Sequence, residues 1–366
     1  MTRKDKQSRR SILKAGLVAP GAIGMLADML PTKAMASSGR LTFGDASILR
    51  FLAALEILET DLWEQYNELG GIQDREATAA KFLGGTGNKP YTDQLNMIDG
   101  DMSQYIHDNT EDEFTHFNFI NEYLEMKDVE PVSLERFRKL DGSTASGSSG
   151  KKRLTNLMQL TIDTSWWTRY RSRTKNPDFG DTFAPVIPGL LKGKFPAIPR
   201  SDADTTSPDR IHAIANTAAF HFGTIEQGGS SLYPSLAQRV SSVEVLRILL
   251  SIGPTETMHF QVWHDKAGNI TPVTDPITKL EFPDFTKPPL DGNEDFQANL
   301  IMPEPTKFLS PFLPVCSIIR PTETRNAATN AFNGLRQDGL FIGQSDGFFA
   351  EMQNLAALAD MAQREV

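Results

Sequence analysis

Glu113-Phe114-Thr115-His116 and, far downstream, Glu256-Thr257-Met258-His259 are the stretches that decide the fold. Each sets a carboxylate and an imidazole three residues apart, one turn of a helix and on one face. Working outward at alternating steps of four and three residues, the first lies on the line Met102, Ile106, Asn109, Glu113, His116, Ile120 and the second on Val245, Leu249, Ile252, Glu256, His259, Trp263. Two other segments carry the same line with a glutamate at the same place. They read Asp45, Leu49, Leu52, Glu56, Glu59, Trp63 and Ala215, Ala219, Phe222, Glu226, Gly229, Tyr233. A mostly apolar or small seam at this spacing is the inward line of a helix bundle. The pattern predicts four long helices over about 45–69, 94–127, 207–238 and 241–266, the last kinked at Pro254.

Four glutamates aimed at one centre are costly. A bare carboxylate is expensive to bury, and neighbouring carboxylates repel each other. A pair of metal cations relieves both penalties, and oxygen ligands joined by imidazole suit iron or manganese. Glu226 adds to the case, because it is the only acid between Asp209 and Glu244 and sits in an apolar run. The candidate metal ligands are therefore Glu56, Glu113, His116, Glu226, Glu256 and His259. Glu59 occupies the seam place that holds histidine in the second and fourth helices, so it stands as an additional or alternative ligand. Gly229 fills the same place in the third helix, where it serves either to leave room for a ligand or oxidant or to let helices pack closely.

These residues and their order resemble the ferritin-like superfamily, in particular exported bacterial ferritin-like proteins, over about residues 45–127 and 207–266. The resemblance implies an all-α, ferritin-like four-helix bundle with a large insertion between helices 2 and 3. It further implies that Glu56 and His116 end on one metal, Glu226 and His259 on the other, and that Glu113 and Glu256 bridge the two.

The first 36 residues read as an address. Ser8-Arg9-Arg10-Ser11-Ile12-Leu13-Lys14 precedes a weakly apolar stretch and then Ala34-Met35-Ala36, a small-x-small cleavage site. This is similar to a twin-arginine export signal and predicts a periplasmic or otherwise exported protein. The whole chain of 366 residues has a formal charge of −9; without the seven basic and two acidic residues of this segment it stands at −14. That acidity argues against nucleic acid as a partner. The single cysteine, Cys316, excludes an intramolecular disulfide framework and cysteine-based zinc or iron–sulfur sites. No later stretch reaches the roughly 18 apolar residues of a membrane span, so none is expected in the mature chain.

Residues 40–267 are expected to form the bundle, interrupted by an insert at 128–206. Within the insert, 142–150 reads as a loose loop and 151–174 as a helix whose Trp166 and Trp167 pack on the bundle. Residues 268–366 read as a proline-rich, irregular extension ending in a short helix at about 345–364. Trp63, Tyr233 and Trp263, one heptad past their glutamates, read as the wall of the site or as electron carriers. His221 and His264 read as packing or supporting residues, not ligands.

For function, the leading expectation is a redox enzyme of oxidase, ferroxidase or peroxidase type, with two iron or manganese ions and O2 or peroxide as partner, alone or with a small organic substrate. A non-enzymatic metal-binding or stress-protection protein is the alternative, and iron storage is a weaker one. The insert and tail suit a monomer or small homo-oligomer better than a closed cage.

Overall fold

Thr42 opens the first long helix, its hydroxyl accepting the Asp45 amide at 3.0 Å. This helix, α1, spans Phe43–Gly70. The computed structural model describes residues 39–73, 84–285, 301–320 and 325–365. The export-signal segment 1–36 therefore lies outside the described residues.

The expected second helix divides in two. α2 covers Lys89–Ile98 and α3 covers Met102–Met126. The break falls at Asp99-Gly100-Asp101, where Asp99 turns the chain by accepting the Asp101 amide at 2.8 Å. An aspartate flanking a glycine offers the backbone a turn in place of the helical ladder. The third bundle helix, here α5, spans Pro208–Ala237, with Ser207 as its cap and Pro208 at its first position. The fourth, α6, spans Val243–Ala267 under a Ser242 cap. Its helical stretch runs unbroken through Pro254. The ring removes one backbone donor there, yet the helix ends only at Ala267.

α1 packs chiefly on α3 and α5 on α6. α1 itself is buried nearly all round, so its acids need partners inside the protein. Asp61, on the side that meets the insert, accepts the amides of Leu154 and Thr155 at 2.9 and 2.8 Å and pairs with Arg138. Arg153 pairs with Glu64 at 3.0 Å and with Glu68. These buried ion pairs replace the water that α1 carboxylates would otherwise need.

The insert is less helical than expected. Only α4, Ser165–Arg171, forms from the predicted 151–174 helix. The rest holds only short 3-10 turns, at Glu135–Phe137, Pro177–Phe179, Pro188–Leu191 and Asp202–Thr205, and a hairpin of β1 (Leu140–Asp141) with β2 (Lys152–Arg153). Trp166 and Trp167 are buried as predicted; the Trp166 indole donates to Thr224 at 3.0 Å, and Arg171 stacks on Trp167 while reaching His264 at 2.6 Å.

A second hairpin, β3 (Val273–Thr274) with β4 (Glu281–Phe282), follows α6. Two helices then come back to the bundle. α7, Ala327–Gln337, was not expected from sequence, whereas α8, Asp346–Met361, closely matches the terminal helix that was. α8 packs on α1, and α7 on α8 and α5, so the extension covers a face of the bundle. Among the described residues no helix is long and apolar enough to cross a membrane.

Candidate metal centre

The seam brings six of the predicted residues into two overlapping quartets. Glu56, Glu113, His116 and Glu256 form one, and Glu113, Glu226, Glu256 and His259 the other; in each, four ligand atoms lie within 4.8 Å of one another. Glu113 and Glu256 belong to both. Glu56, Glu113, Glu226 and Glu256 are buried. Nδ1 of His116 stands 3.1, 3.2 and 3.4 Å from Glu113, Glu256 and Glu56. Nδ1 of His259 stands 3.1 Å from Glu113 and 3.2 Å from Glu226.

Each outer carboxylate is aimed by an aromatic donor from the opposite helix. Tyr233 of α5 donates its hydroxyl to Oε1 of Glu56 on α1. Trp63 of α1 donates its indole N–H to Oε1 of Glu226 on α5 at 3.0 Å. The exchange is reciprocal because Trp63 follows Glu56, and Tyr233 follows Glu226, by one heptad. Asn109 adds two donors, at 2.8 Å to Glu113 and 3.0 Å to Glu226, and its own oxygen is fixed by the Trp263 indole at 2.6 Å. The three aromatics are thus the wall of the site and also its hydrogen-bond donors.

Two residues the sequence reading passed over hold the far sides of the imidazoles. His259 Nε2 lies 3.0 Å from Asp112, and His116 Nε2 lies 3.2 Å from the Thr255 hydroxyl. Asp112 and Thr255 directly precede Glu113 and Glu256, so adjacency to the two Glu-x-x-His stretches was the available signal. Anchoring Nε2 turns Nδ1 toward the carboxylates and selects it as the ligand atom.

Electrostatics follow from burial and crowding. Burial, then repulsion from neighbouring glutamates, pushes Glu256 well above the usual carboxylate range. Glu226 is raised by burial to about 7, with the charge of His259 working against that rise. Burial would raise Glu113 too, but hydrogen bonds from His116 and His259 outweigh it and hold Glu113 low. The imidazoles move the opposite way: burial alone would lower them, and the surrounding carboxylates raise both. Without metal, the cluster meets its charge with shared protons.

The residues fit a pair of cations. Oε2 of Glu256 is buried with no partner, and Oε1 of Glu256 and Oε2 of Glu56 are buried with only the ion-pair approach of the shared His116 Nδ1. Such acceptors are costly to leave unmatched. Two divalent ions would also balance the four carboxylates while the imidazoles stay neutral.

Glu59 lies outside both quartets. It faces the cluster from α1, and burial followed by repulsion from Glu113, Glu226, Glu256 and Glu56 raises it well above the usual range. Gly229 has a packing reason, since a Cβ there would overlap the Glu256 carboxylate. His221 and His264 lie outside the cluster, His221 against the Tyr66 hydroxyl at 2.6 Å and His264 against Arg171.

Comparison with known proteins adds one finding. A family model described as a ferritin-like domain matches residues 44–269. No curated protein and no solved structure matches the chain.

Proposed function

The chain belongs to the ferritin-like domain family, and from that premise we propose that it is a di-metal redox enzyme of the cell envelope, holding two iron or manganese ions and acting with O2 or peroxide. One observation carries this reading: the two quartets share Glu113 and Glu256, and each closes with one more glutamate and one histidine. The donor set of carboxylate oxygen and imidazole nitrogen, with no thiolate near it, favours iron or manganese over softer metals. When bound, such ions supply Lewis acidity and one-electron redox chemistry.

The chain's own residues do the rest. Glu113 and Glu256 tie the two positions together. Glu56 with His116, and Glu226 with His259, complete one position each. Tyr233 and Trp63 hold the outer carboxylates in place from opposite helices. The indoles of Trp63 and Trp263, both buried, stack with centroids 5.3 Å apart. The basic, twin-arginine-like start of the chain supports an exported location.

Metal analysis of natively exported protein tests the site, and about two ions per chain are expected. A Glu113→Ala/Glu256→Ala variant that keeps its full metal content would sink it. Fe(II) oxidation and peroxide consumption test the enzyme: His116→Ala should lose at least tenfold in rate. Equal rates in the variant would leave a metal site without this chemistry.

A further inference from the structure

A cavity of about 80 Å³ lies against the carboxylate side of the cluster, between α1, α5 and α7. Leu52 and Leu58 of α1 and Ile225 and Leu232 of α5 form apolar walls, and Glu56 and Tyr233 reach its inner end. The C-terminal extension completes it, with Leu335 of α7 and Phe341 just beyond. The extension therefore contributes to the surroundings of the cluster.

Two features go unexplained by packing. The first is Glu59, which lines this cavity and whose Oε1 is buried with no hydrogen-bond partner. A buried acceptor left alone is destabilising. The second is Gly228. A glycine inside a helix is less favourable than alanine, and α5 carries two in succession. Gly229 is required by Glu256, but a Cβ on Gly228 would meet nothing within 4 Å. Gly228 is exposed and stands on the cavity rim. Its missing side chain leaves a gap between the cavity and the outside.

We propose that the cavity is a substrate pocket, entered past Gly228, for a small neutral organic molecule with an apolar body and one hydroxyl that donates to Glu59 Oε1. The volume admits only a few heavy atoms, since one water takes about 30 Å³ of liquid. The leucine and isoleucine walls hold water poorly and suit a hydrocarbon body. Among the described residues no Lys, Arg or His lines the cavity, so an anion would be buried there without a cation to pair with, which disfavours carboxylates and phosphates. A short-chain alcohol has the required chemistry. The catalytic meaning of this pocket rests on the di-metal reading, whereas binding can be tested without metal.

The test is a titration of the metal-free mature protein, with labelled Ile and Leu methyl groups, against 1-propanol, its non-donor counterpart 1-chloropropane, and propionate. 1-Propanol should shift the methyls of Ile225, Leu52 and Leu232, bind about tenfold more tightly than 1-chloropropane, and outcompete propionate. Glu59→Leu should abolish the preference for the alcohol. Gly228→Leu, placed where nothing obstructs it, should weaken or slow binding at least tenfold while metal content stays that of wild type. No shift in those methyls with any probe, or equal binding by wild type and both variants, would overturn the proposal. Two ions bound with no propanol shift would sink the pocket alone, while propanol binding with no metal uptake would sink the di-metal reading and leave the pocket standing.

Discussion

Asp112 on α3 holds Nε2 of His259 on α6 at 3.0 Å, and the pairing runs both ways between these helices, because Thr255 on α6 meets Nε2 of His116 on α3 at 3.2 Å. The Thr255 hydroxyl already donates to Ile252 O at 2.6 Å, so toward His116 it is an acceptor. Each Glu-x-x-His stretch thus brings, in the residue before its glutamate, the support for the other helix's histidine. α1 and α5 repeat the arrangement with Tyr233 to Glu56 and Trp63 to Glu226. The site is cross-braced within both helix pairs.

Loss of an outer support for a metal-bound histidine lowers metal affinity about 10–100-fold. Asp112→Ala should therefore weaken the position completed by His259, and Thr255→Val the one completed by His116. Competition titration with a chromophoric chelator, resolved into two binding steps, checks this. Equal weakening of both steps by either variant would contradict separate support.

The seam of the four bundle helices and the clustering of six residues on it were legible in the sequence, because a 4-3 seam with one glutamate at a fixed place is a one-dimensional signal; the break at Asp99-Gly100-Asp101 that splits the expected second helix was not. Asp112 and Thr255 were not legible as supports, because they sit one residue off the seam and acquire a role only when α3 and α6 face each other. α7 was missed because Asn330, Asn333 and Gly334 dilute its helical signal, and its buried face of Ala327, Ala328 and Phe332 needs the rest of the extension to cover it. The 151–174 helix was overread: Asp61 and Gln65 of α1 draw Thr155 into tertiary hydrogen bonds that compete with a local helix.

Gly229→Ala separates helix stability from the site. Alanine is the better helix former by about 1 kcal/mol, yet its Cβ would displace the Glu256 carboxylate. The metal-free variant should melt at or above the wild-type temperature while binding fewer than two ions. Thermal melts paired with metal analysis decide it, and wild-type metal content would show that Glu256 adapts.

Metal uptake should depend on pH. The two imidazoles are held protonated by surrounding carboxylates, and burial raises Glu226 to about 7 and Glu256 well above the ordinary range. Loading must release these protons, so apparent affinity should rise with pH through neutrality. Proton release measured in weakly buffered solution during Fe(II) or Mn(II) addition checks this. Tyr233→Phe removes the donor to Glu56 and should move the pH of half-loading upward.

His221 gives a pH dependence apart from the cluster. Burial lowers it to about 3, so it is neutral when folded. The unfolded chain takes up a proton near pH 6.5, the ordinary histidine value. Between about pH 6.5 and 3 the unfolded state binds more protons at this position, so its contribution to stability is present above 6.5 and is lost as pH falls. The slope approaches about 1.4 kcal/mol per pH unit. The Tyr66 hydroxyl, 2.6 Å from Nδ1, meets one nitrogen of the neutral ring, while Nε2 is buried without a hydrogen bond. A Tyr66→Phe/His221→Leu variant removes both partners and should flatten the metal-free stability curve between pH 6.5 and 4.5, as urea melts at each pH would show. An unchanged slope would mean that His221 is protonated in the folded protein.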